Sequence, residues 1–412
     1  MKLLQINNVL RTSTSTGRIV REIGDLAVGR GNQSYIAYSR GRDGKLSCSS
    51  ETLPVGNAVS VAWHGIVTRL TDRHGLASSA ATRKLIRQMR VIGPDIVHLH
   101  NINGYFLDYR LLFRYLAESG IPVVWTVHDS WLYTGHCYYY SSIGCTKWQT
   151  GCGKCPQSKA FPSSLLIDRS RRNWLDKKKA FTSLCKDRMT VVAVSEWMKG
   201  ELEKSFMKDY DIRVIRNGID TSVFAPSGDR DRIRKRLGLG QKKTILGVAG
   251  IWSREKGLDD FIRMASLLDK DEAIILAGVD DAQKKILPEN IIGIPRTSDA
   301  GTLAEIYSAA DVFVNPTWQD NYPTVNLEAQ SCGTPVVTYD TGGSPESVCS
   351  AAGAVRPKGD VPGLLDAARK LISRGKEYNG NICRRFATDN FRKQDRYADY
   401  FRLYGSFVDK KI

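Results

Sequence analysis

The stretch DVFVNPTWQDNYPTVNLEAQSCGTPVVTYDTGGSPE, residues Asp311 to Glu346, carries the densest structural signal in the chain. Apolar runs and turn residues alternate along it, which predicts a strand, a loop and a helix, and then the same order again. Pro323 suits the first turn of the first helix, because it has no N–H to lose there. Two carboxylates, Asp320 and Glu328, stand before and within that helix.

The start of this helix predicts a nucleotide-sugar pocket. The amide N–H groups of residues 321–324 lack partners inside the helix, and the helix dipole adds to their positive potential, so they suit a diphosphate. Glu328 lies more than one turn further on, where a carboxylate can accept hydrogen bonds from the two hydroxyls of a ribose. The alternative is a strand–helix unit with two surface acids, which spacing alone does not exclude.

This segment resembles the E-x7-E signature of the retaining glycosyltransferases of family 4, and DNYP-x4-EA resembles their colanic-acid and capsular-polysaccharide branch. The resemblance implies an α/β GT-B fold: two doubly wound Rossmann-like domains facing a cleft, with a C-terminal helix that returns to the first domain. It implies that Asp320, in the place of the usual Glu, holds the donor sugar and that Glu328 binds the ribose. The donor diphosphate would lie on Asn321, Tyr322, Pro323 and Thr324.

The segment AGIWSREKGLDDFI supplies the expected cations. Lys256-Gly257 matches the second half of the family pattern G-R-[LF]-x3-K-G, whereas Ile251 stands where the family has Arg. The resemblance implies that Lys256, with Arg254 as the nearest substitute for that Arg, stabilises charge on the departing nucleoside diphosphate. The alternative for both is ordinary solvation at a helix start.

Three glycine-containing turns complete the expected donor site. Asn217-Gly218 resembles the NG-[IV]-D turn of the family, and Gly342-Gly343 matches its GG-x-P-E element. In STGRIVREI, Gly17 and Arg18 stand at a loop-to-helix start that faces the donor in the GT-B fold. For the first and third turns a purely structural role stays open, as a tight turn or an ordinary helix start.

His128 is the candidate catalytic residue of the first half of the chain. It follows the apolar run of VVWTVHDSWLYTGHC, at the carboxyl end of a predicted parallel strand, where open α/β sheets bind ligands. Family members carry a His here that contacts the donor sugar near the reacting centre. In this family the acceptor is thought to attack the face that the diphosphate leaves, which implies metal-independent catalysis by positioning and charge stabilisation, without a protein nucleophile.

A cysteine-rich segment follows, HCYYYSSIGCTKWQTGCGKCP. Cys137, Cys145, Cys152 and Cys155 form C-x7-C-x6-C-x2-C, and such thiols can supply the four tetrahedral ligands of a structural zinc. We therefore predict a zinc-braced insertion over residues 136–156. Two disulfides or reduced, unliganded thiols are the alternatives.

Charge is concentrated in the first half of the chain. The 412 residues have a net charge of +17, and residues 1–208 hold 30 Lys and Arg against 15 Asp and Glu. Such asymmetry indicates an anionic partner. No zinc-finger, basic-zipper or RNA-recognition pattern accompanies it, so an anionic membrane surface is favoured over nucleic acid. A merely solvated basic face is the alternative.

These observations predict a first domain over 1–208, a nucleotide-sugar-binding domain over 209–390 and a returning helix over 391–412. No apolar run approaches the about 18 residues of a membrane span. The expected activity moves a sugar from a nucleotide donor, UDP- or GDP-linked, to a growing lipid-linked glycan of bacterial capsule, exopolysaccharide or lipopolysaccharide synthesis. The protein would be cytoplasmic and peripheral on the inner face of the plasma membrane. The alternatives are a nucleotide-sugar epimerase and an inactive donor-binding regulatory subunit.

Overall fold

The computed structural model describes residues 1–11, 14–41, 48–227, 229–297 and 299–408. They form two compact units, one of Met1–Ile215 together with the chain from Tyr397 onward, the other of Arg216–Arg396. Each unit is built on one parallel sheet whose strands are joined through helices, so the predicted α/β class is confirmed. None of the described helices combines the length and the apolarity that a membrane span requires.

The first unit contains a seven-stranded sheet of order β3-β2-β1-β4-β5-β6-β7. Its strands are β1 Lys2–Val9, β2 Gln33–Arg40, β3 Glu51–Pro54, β4 Ile96–Leu99, β5 Val123–Val127, β6 Met189–Ala193 and β7 Asp211–Val214. Every residue of β4, β5 and β6 is buried, as expected for central parallel strands covered on both faces. The helices are α1 Ser15–Gly29, α2 Ala58–Thr71, α3 Ser79–Ile92, α4 Tyr109–Ser119, α5 Ser170–Phe181 and α6 Glu196–Glu203.

The second unit contains a six-stranded sheet of order β10-β9-β8-β11-β12-β13. Its strands are β8 Lys243–Val248, β9 Glu272–Ala277, β10 Ile291–Ile294, β11 Val312–Asn315, β12 Val336–Tyr339 and β13 Gly353–Arg356. Its helices are α7 Arg230–Arg236, α8 Leu258–Ala265, α9 Asp281–Lys284, α10 Ala300–Ala309, α11 Thr324–Ser331, α12 Val361–Ser373 and α13 Lys376–Asn390. The predicted strand–loop–helix–strand order of the Asp311–Glu346 stretch is β11, α11 and β12.

The last helix, α14 (Lys393–Val408), packs its aromatic face on the first unit. Tyr397, Tyr400, Tyr404 and Phe407 are buried in one cluster with Leu3, Ile19, Ile23 and Val124. The predicted return of the C-terminal helix to the first domain is confirmed. Residues 409–412 of the predicted segment lie outside the described part of the chain.

The structure corrects the predicted boundary between the domains. Residues 211–214 were assigned to the second domain, but they form β7, which pairs in parallel with β6 at the edge of the first sheet. Residues of β7 alternate between exposed and partly buried, which is the pattern of an edge strand. This pattern does not indicate to which of the two sheets the strand belongs. The first unit accordingly ends at Ile215, and residues 391–396 count with the second unit.

Candidate active site

Two of the predicted catalytic residues of the second unit form an ion pair. Lys256 Nζ lies 2.7 Å from Asp320 Oδ2, and their side chains are 40% and 18% exposed. Lys256 ends the single-turn 3-10 helix Arg254–Lys256, whereas Asp320 lies in the loop between β11 and α11. The pair therefore joins two distant segments at one partly open point. Arg254 is exposed two positions before Lys256, and Ile251 is 79% exposed.

The turn that carries Lys256 is fixed on the loop after β11. Gly257 has a φ of +79°, and a Cβ there would lie 2.4 Å from the carbonyl oxygen of Pro316, so only glycine fits. The backbone N–H of Trp318 donates to the carbonyl oxygen of Glu255 at 2.8 Å. The backbone on both sides of the ion pair is thus held in place.

Gly342 and Gly343 lie against the backbone of Asp320. Gly342 has a φ of +55°, and a Cβ there would be 2.0 Å from the Asp320 carbonyl oxygen. The Gly343 N–H donates to the same oxygen at 3.1 Å. Both glycines therefore contact the backbone of Asp320, and their contact with the donor stays a prediction.

The start of α11 differs in two respects from the prediction. The helix begins at Thr324, so Pro323 is the residue before its first turn, and no side chain caps it. The amide of Tyr322, one of the predicted anion donors, donates to Asp320 Oδ1 at 3.3 Å. A diphosphate at this helix start would therefore share that amide with the carboxylate or displace it.

The side chains of Asn321 and Tyr322 are buried. Burial raises the pKa of the Tyr322 phenol, whose electrostatic neighbours include Arg216 and Glu346. Its hydroxyl has no hydrogen-bond partner among the described residues, which is uncommon for a buried polar group. The Arg216 Nη2 and Glu346 Oε2 atoms are 3.4 Å apart.

Glu328 is a buried acid. It is 3% exposed, and the Tyr307 hydroxyl donates to its Oε2 at 3.3 Å. The surface-acid alternative for this residue is therefore wrong. A buried carboxylate costs free energy unless it is hydrogen-bonded or paired, and the Tyr307 hydroxyl supplies one such hydrogen bond.

A buried polar network on α11 escaped the sequence analysis. Asn326 donates to Ser347 Oγ at 2.8 Å and accepts from Asn315 Nδ2 at 2.9 Å. Gln330 donates to the carbonyl oxygen of Ser347 at 2.7 Å. Polar residues four positions apart within an otherwise buried helix were the available signal. The network fastens α11 to the segment that follows Gly342 and Gly343.

The Asn217-Gly218 turn has a structural role. A Cβ on Gly218 would lie 2.6 Å from Lys393 Cα, so the turn packs directly on that backbone. Lys393 Nζ is 2.6 Å from Asp220 Oδ2. Burial opposes ionisation of Asp220, but hydrogen bonds from Lys393 and Ser222 outweigh it and lower the pKa of Asp220 to about 2. The structural alternative for this turn is therefore well supported.

In the first unit, His128 directly follows β5, as predicted, and its ring stacks on a second histidine. His128 Nε2 lies 3.1 Å from His100 Nδ1, and His100 Nε2 lies 3.2 Å from Gln5 Oε1. Gln5 donates its Nε2 to the carbonyl oxygen of Val20, so its oxygen faces His100. Neutral His100 then donates from Nε2, and His128 must donate from Nε2 to the bare Nδ1 of His100. Burial lowers the pKa of His128 to about 4.

The chain of polar contacts continues beneath this pair. The ring centroids of His98 and His100 are 3.9 Å apart. His98 Nδ1 lies 2.6 Å from the Tyr404 hydroxyl, and His98 Nε2 lies 2.8 Å from Thr126 Oγ1. Burial holds the pKa of both His98 and His100 well below 6.5. Helix α14 therefore supports the histidines beside His128 through the Tyr404 hydroxyl. The sequence analysis did not predict this connection.

A small cavity opens beside His128, with a volume of about 10 Å³, room for one water. Its lining includes His100, Asn103 and Asp129. Asp129 accepts from the Trp131 amide at 2.9 Å and from Asn103 Nδ2 at 2.8 Å. Burial raises the pKa of Asp129 despite these hydrogen bonds.

Gly17 and Arg18 lie in the first turn of α1. A Cβ on Gly17 would be 2.3 Å from the Arg11 carbonyl oxygen, so glycine is required for that approach. Arg18 is half-buried, and its amide donates to the carbonyl oxygen of Thr14. Residues 12 and 13 of this loop lie outside the described part of the chain.

The four cysteines of the insertion are free thiols in this structure. Cys137 and Cys155 share a hydrogen bond that lowers the pKa of Cys155 to about 7, and the Gly135 amide donates to Cys152 Sγ at 3.1 Å. The described residues contain no group of three or more His, Cys, Asp or Glu that could hold a metal ion. The structural zinc at these four cysteines stays a prediction.

Two family models match the chain. Glycosyltransferase Family 4 matches residues 16–223, and Glycosyl transferases group 1 matches residues 229–385. The chain is 25% identical over 391 residues to the colanic acid biosynthesis glycosyl transferase WcaC of Escherichia coli K12, covering 90% of this chain and 91% of WcaC. It is 32% identical over 290 residues to a D-inositol 3-phosphate glycosyltransferase of Corynebacterium jeikeium, covering 65% and 64%.

Solved structures agree on the fold. Sucrose-phosphate synthase of Thermosynechococcus elongatus superposes with a TM-score of 0.71 at 16% identity, over 99% of both chains. Anabaena Alr3699/HepE in complex with UDP-glucose has a TM-score of 0.70 at 14% identity, over 98% of this chain and 100% of that one. Together with the family matches, these likenesses show that the chain belongs to glycosyltransferase family 4, is a glycosyltransferase and has the GT-B fold.

Proposed function

We propose that this chain transfers a sugar from a nucleoside diphosphate donor to a lipid-linked glycan, with retention of the anomeric configuration. The observation that carries the proposal is the Lys256–Asp320 ion pair at the uncapped start of α11. An ammonium, the amides at a helix start and a carboxylate together match a sugar diphosphate, which presents anionic oxygens beside sugar hydroxyls.

In the proposed reaction Lys256 exchanges partners. The diphosphate takes the ammonium, and the amides of Tyr322 and Thr324 contribute further positive potential. Asp320, released from Lys256, accepts hydrogen bonds from the donor sugar. Charge then develops on the departing diphosphate, where a cation placed in advance stabilises the transition state more than the ground state. Glu328 would hold the ribose, and Arg254 would add a second cation.

His128 would contact the donor sugar near the reacting centre. Its neutral state follows from burial, and its Nε2 proton is directed at His100. Catalysis would need no metal, since phosphate oxygen takes the acceptor proton and Lys256 supplies the positive charge. A structural zinc at the four cysteines stays a prediction, which metal analysis of protein purified without chelator tests.

For the donor and pathway, the relatives suggest a direction. HepE has been solved with UDP-glucose, WcaC is named for colanic acid biosynthesis, and a further structural neighbour, WaaG, for lipopolysaccharide biosynthesis. We therefore propose a UDP- or GDP-sugar donor and a bacterial surface glycan as product. The basic first half of the chain supports work at the anionic inner face of the plasma membrane.

A thermal-shift screen against UDP-, GDP-, dTDP-, ADP- and CMP-sugars tests the donor site. A ligand at about 100 times its Kd stabilises the folded state by about 2.7 kcal/mol. We expect one nucleotide to respond in the wild type and to lose its effect in Glu328→Ala and Lys256→Met. Lys284→Met, a lysine on α9, is the matched control. Donor binding without turnover on native lipid acceptor would instead identify an inactive donor-binding subunit.

A further inference from the structure

Helix α2 turns polar residues toward the interior of the first unit and apolar residues toward solvent. The residues that it buries in the first unit are His64 and Thr68. Its outward face carries Val59, Trp63 and Ile66, followed one turn later by Leu70, each 44–77% exposed. These positions recur every three or four residues, so they form one stripe along the helix. A helix of a soluble domain normally buries such a stripe.

The inward face is held by hydrogen bonds, which confirms that the orientation is built into the fold. His64 Nδ1 lies 2.6 Å from Ser78 Oγ, and the Gly75 amide donates to His64 Nε2 at 3.0 Å. Burial lowers the pKa of His64 to about 4, so the ring is neutral. Rotating α2 to hide its apolar face would break both hydrogen bonds.

A loop extends the stripe. Leu165 and Leu166 are 64% and 75% exposed, and the Leu165 amide donates to the carbonyl oxygen of Arg69 at 2.8 Å. The loop therefore lies beside the last turn of α2. Six side chains, Val59, Trp63, Ile66, Leu70, Leu165 and Leu166, make up what we call the apolar patch. Contiguous exposed apolar surface of this kind marks an interaction site.

The surroundings of the apolar patch are basic. No Asp or Glu occurs between residues 56 and 71 or between residues 156 and 167. Helix α3, whose N-cap Ser78 contacts His64, exposes four cations and no acid. Helix α5 begins three residues after Ile167 with two exposed arginines, of which Arg172 is paired with Asp176 at 3.1 Å. These cations are Arg83, Lys84, Arg87, Arg90, Arg171 and Arg172. A second copy of the chain would bring like charges together, whereas anionic lipid headgroups complement them.

We propose that the apolar patch inserts into the interfacial region of an anionic bilayer, with α2 lying in the plane of the membrane. An apolar stripe containing Trp, bordered by Arg and Lys, is the composition of interfacial helices. This proposal deepens the proposed function, since it names the surface through which the enzyme would meet a lipid-linked acceptor. Unlike the charge imbalance alone, it predicts which side chains enter the lipid.

Co-sedimentation with vesicles of phosphatidylcholine containing about 30 mol% phosphatidylglycerol tests the proposal. We expect Trp63→Ser/Ile66→Ser to lower the partition coefficient about tenfold or more. The matched control, Leu267→Ser/Ile286→Ser, removes two equally exposed apolar side chains from the second unit and should bind like the wild type. Equal binding of the wild type and the patch variant would overturn the proposal.

Fluorescence with brominated lipids tests insertion itself. Part of the tryptophan emission should be quenched by bromine in the acyl chains, and Trp63→Phe should lose that quenching while it still binds. Attachment that disappears at about 0.5 M NaCl without any quenching would show a purely electrostatic contact and overturn the insertion. A concentration-dependent dimer that Trp63→Ser abolishes would assign the patch to a second copy instead.

The donor thermal shift separates this proposal from the proposed function. Patch variants should keep the shift of the wild type, because none of the residues proposed to contact the donor belongs to the apolar patch. Vesicle binding without any donor shift would remove the proposed function and leave the membrane surface standing. A donor shift without vesicle binding would remove the membrane surface alone.

Discussion

His100 Nδ1 and His128 Nε2 lie 3.1 Å apart, and the direction of the proton between them is fixed from the far side of His100. Gln5 presents its oxygen to His100 because its nitrogen is bound by the carbonyl of Val20. Gln5 therefore sets the tautomer of His128 through His100, although Gln5 and His128 do not share a hydrogen bond.

The buried histidines predict a loss of stability in acid. The folded-state pKa of His128 and His64 is about 4, below the ordinary 6.5. Between these values the unfolded chain binds protons that the folded chain does not. The free energy of unfolding should thus be highest above pH 6.5 and fall as the pH drops, by about 1.4 kcal/mol per pH unit for each such histidine. Urea denaturation from pH 7.5 to 4.5 measures this, and a flat profile would contradict the buried neutral network.

The ion pair of the donor site predicts coupled effects on catalysis. Lys256→Met should lower kcat about 10²- to 10³-fold, because charge on the leaving group loses its cation. Asp320→Asn should cost a comparable amount through lost sugar contacts. The double variant should lower kcat by less than the product of the two single-variant effects, since both residues act on the same part of the substrate. Full additivity in steady-state kinetics would show that the two residues act independently.

Gly342→Ala is expected to unfold more easily and to lose donor affinity. The substitution places a methyl group 2.0 Å from the Asp320 carbonyl oxygen at a φ of +55°, so the Asp320 loop must move, at a cost above about 1 kcal/mol. Gly200→Ala in α6 is the control, because its Cβ meets no atom within 4 Å and its φ is not positive. Chemical denaturation and donor titration of both variants make the comparison.

Tyr404→Phe tests the support beneath His128. It removes the hydroxyl that lies 2.6 Å from His98 Nδ1 and leaves a buried ring nitrogen without that partner. The free energy of unfolding should fall by about 1–3 kcal/mol. Tyr378→Phe, at a 57% exposed tyrosine, should change it little. An unaffected Tyr404→Phe variant would mean that His98 finds another partner.

Local patterns were enough to predict the parts of this fold that depend on local chemistry. The buried runs of β5 and β11 were recognisable. His128 was identified because it follows a parallel strand at its carboxyl end, whereas Asp320 was identified from its resemblance to the family signature. Glu328 lies within the helix where the pattern predicted it, but its burial was not predicted. The hydrogen bond from the Tyr322 amide to Asp320 was not predicted. It depends on the conformation of the loop, which the spacing of residues in the sequence does not determine.

Two features were beyond sequence reasoning for physical reasons. Helix α2 was not predicted, because its inverted faces contradict the rule that a helical stripe of apolar residues points inward. The contact of His98 with Tyr404 joins residues 306 positions apart, and no local pattern reports such a separation.

The 306 positions between His98 and Tyr404 delay the completion of the first unit while the protein is being synthesised. While the ribosome is still making the second unit, the first unit already has its strands but lacks α14, so Leu3, Ile19 and Val124 expose the surface that Tyr397 and Tyr404 later cover. His98 lacks its hydroxyl partner until Tyr404 has been synthesised. Exposed apolar surface of this kind favours aggregation during synthesis, and a truncation at residue 396 would keep the surface exposed.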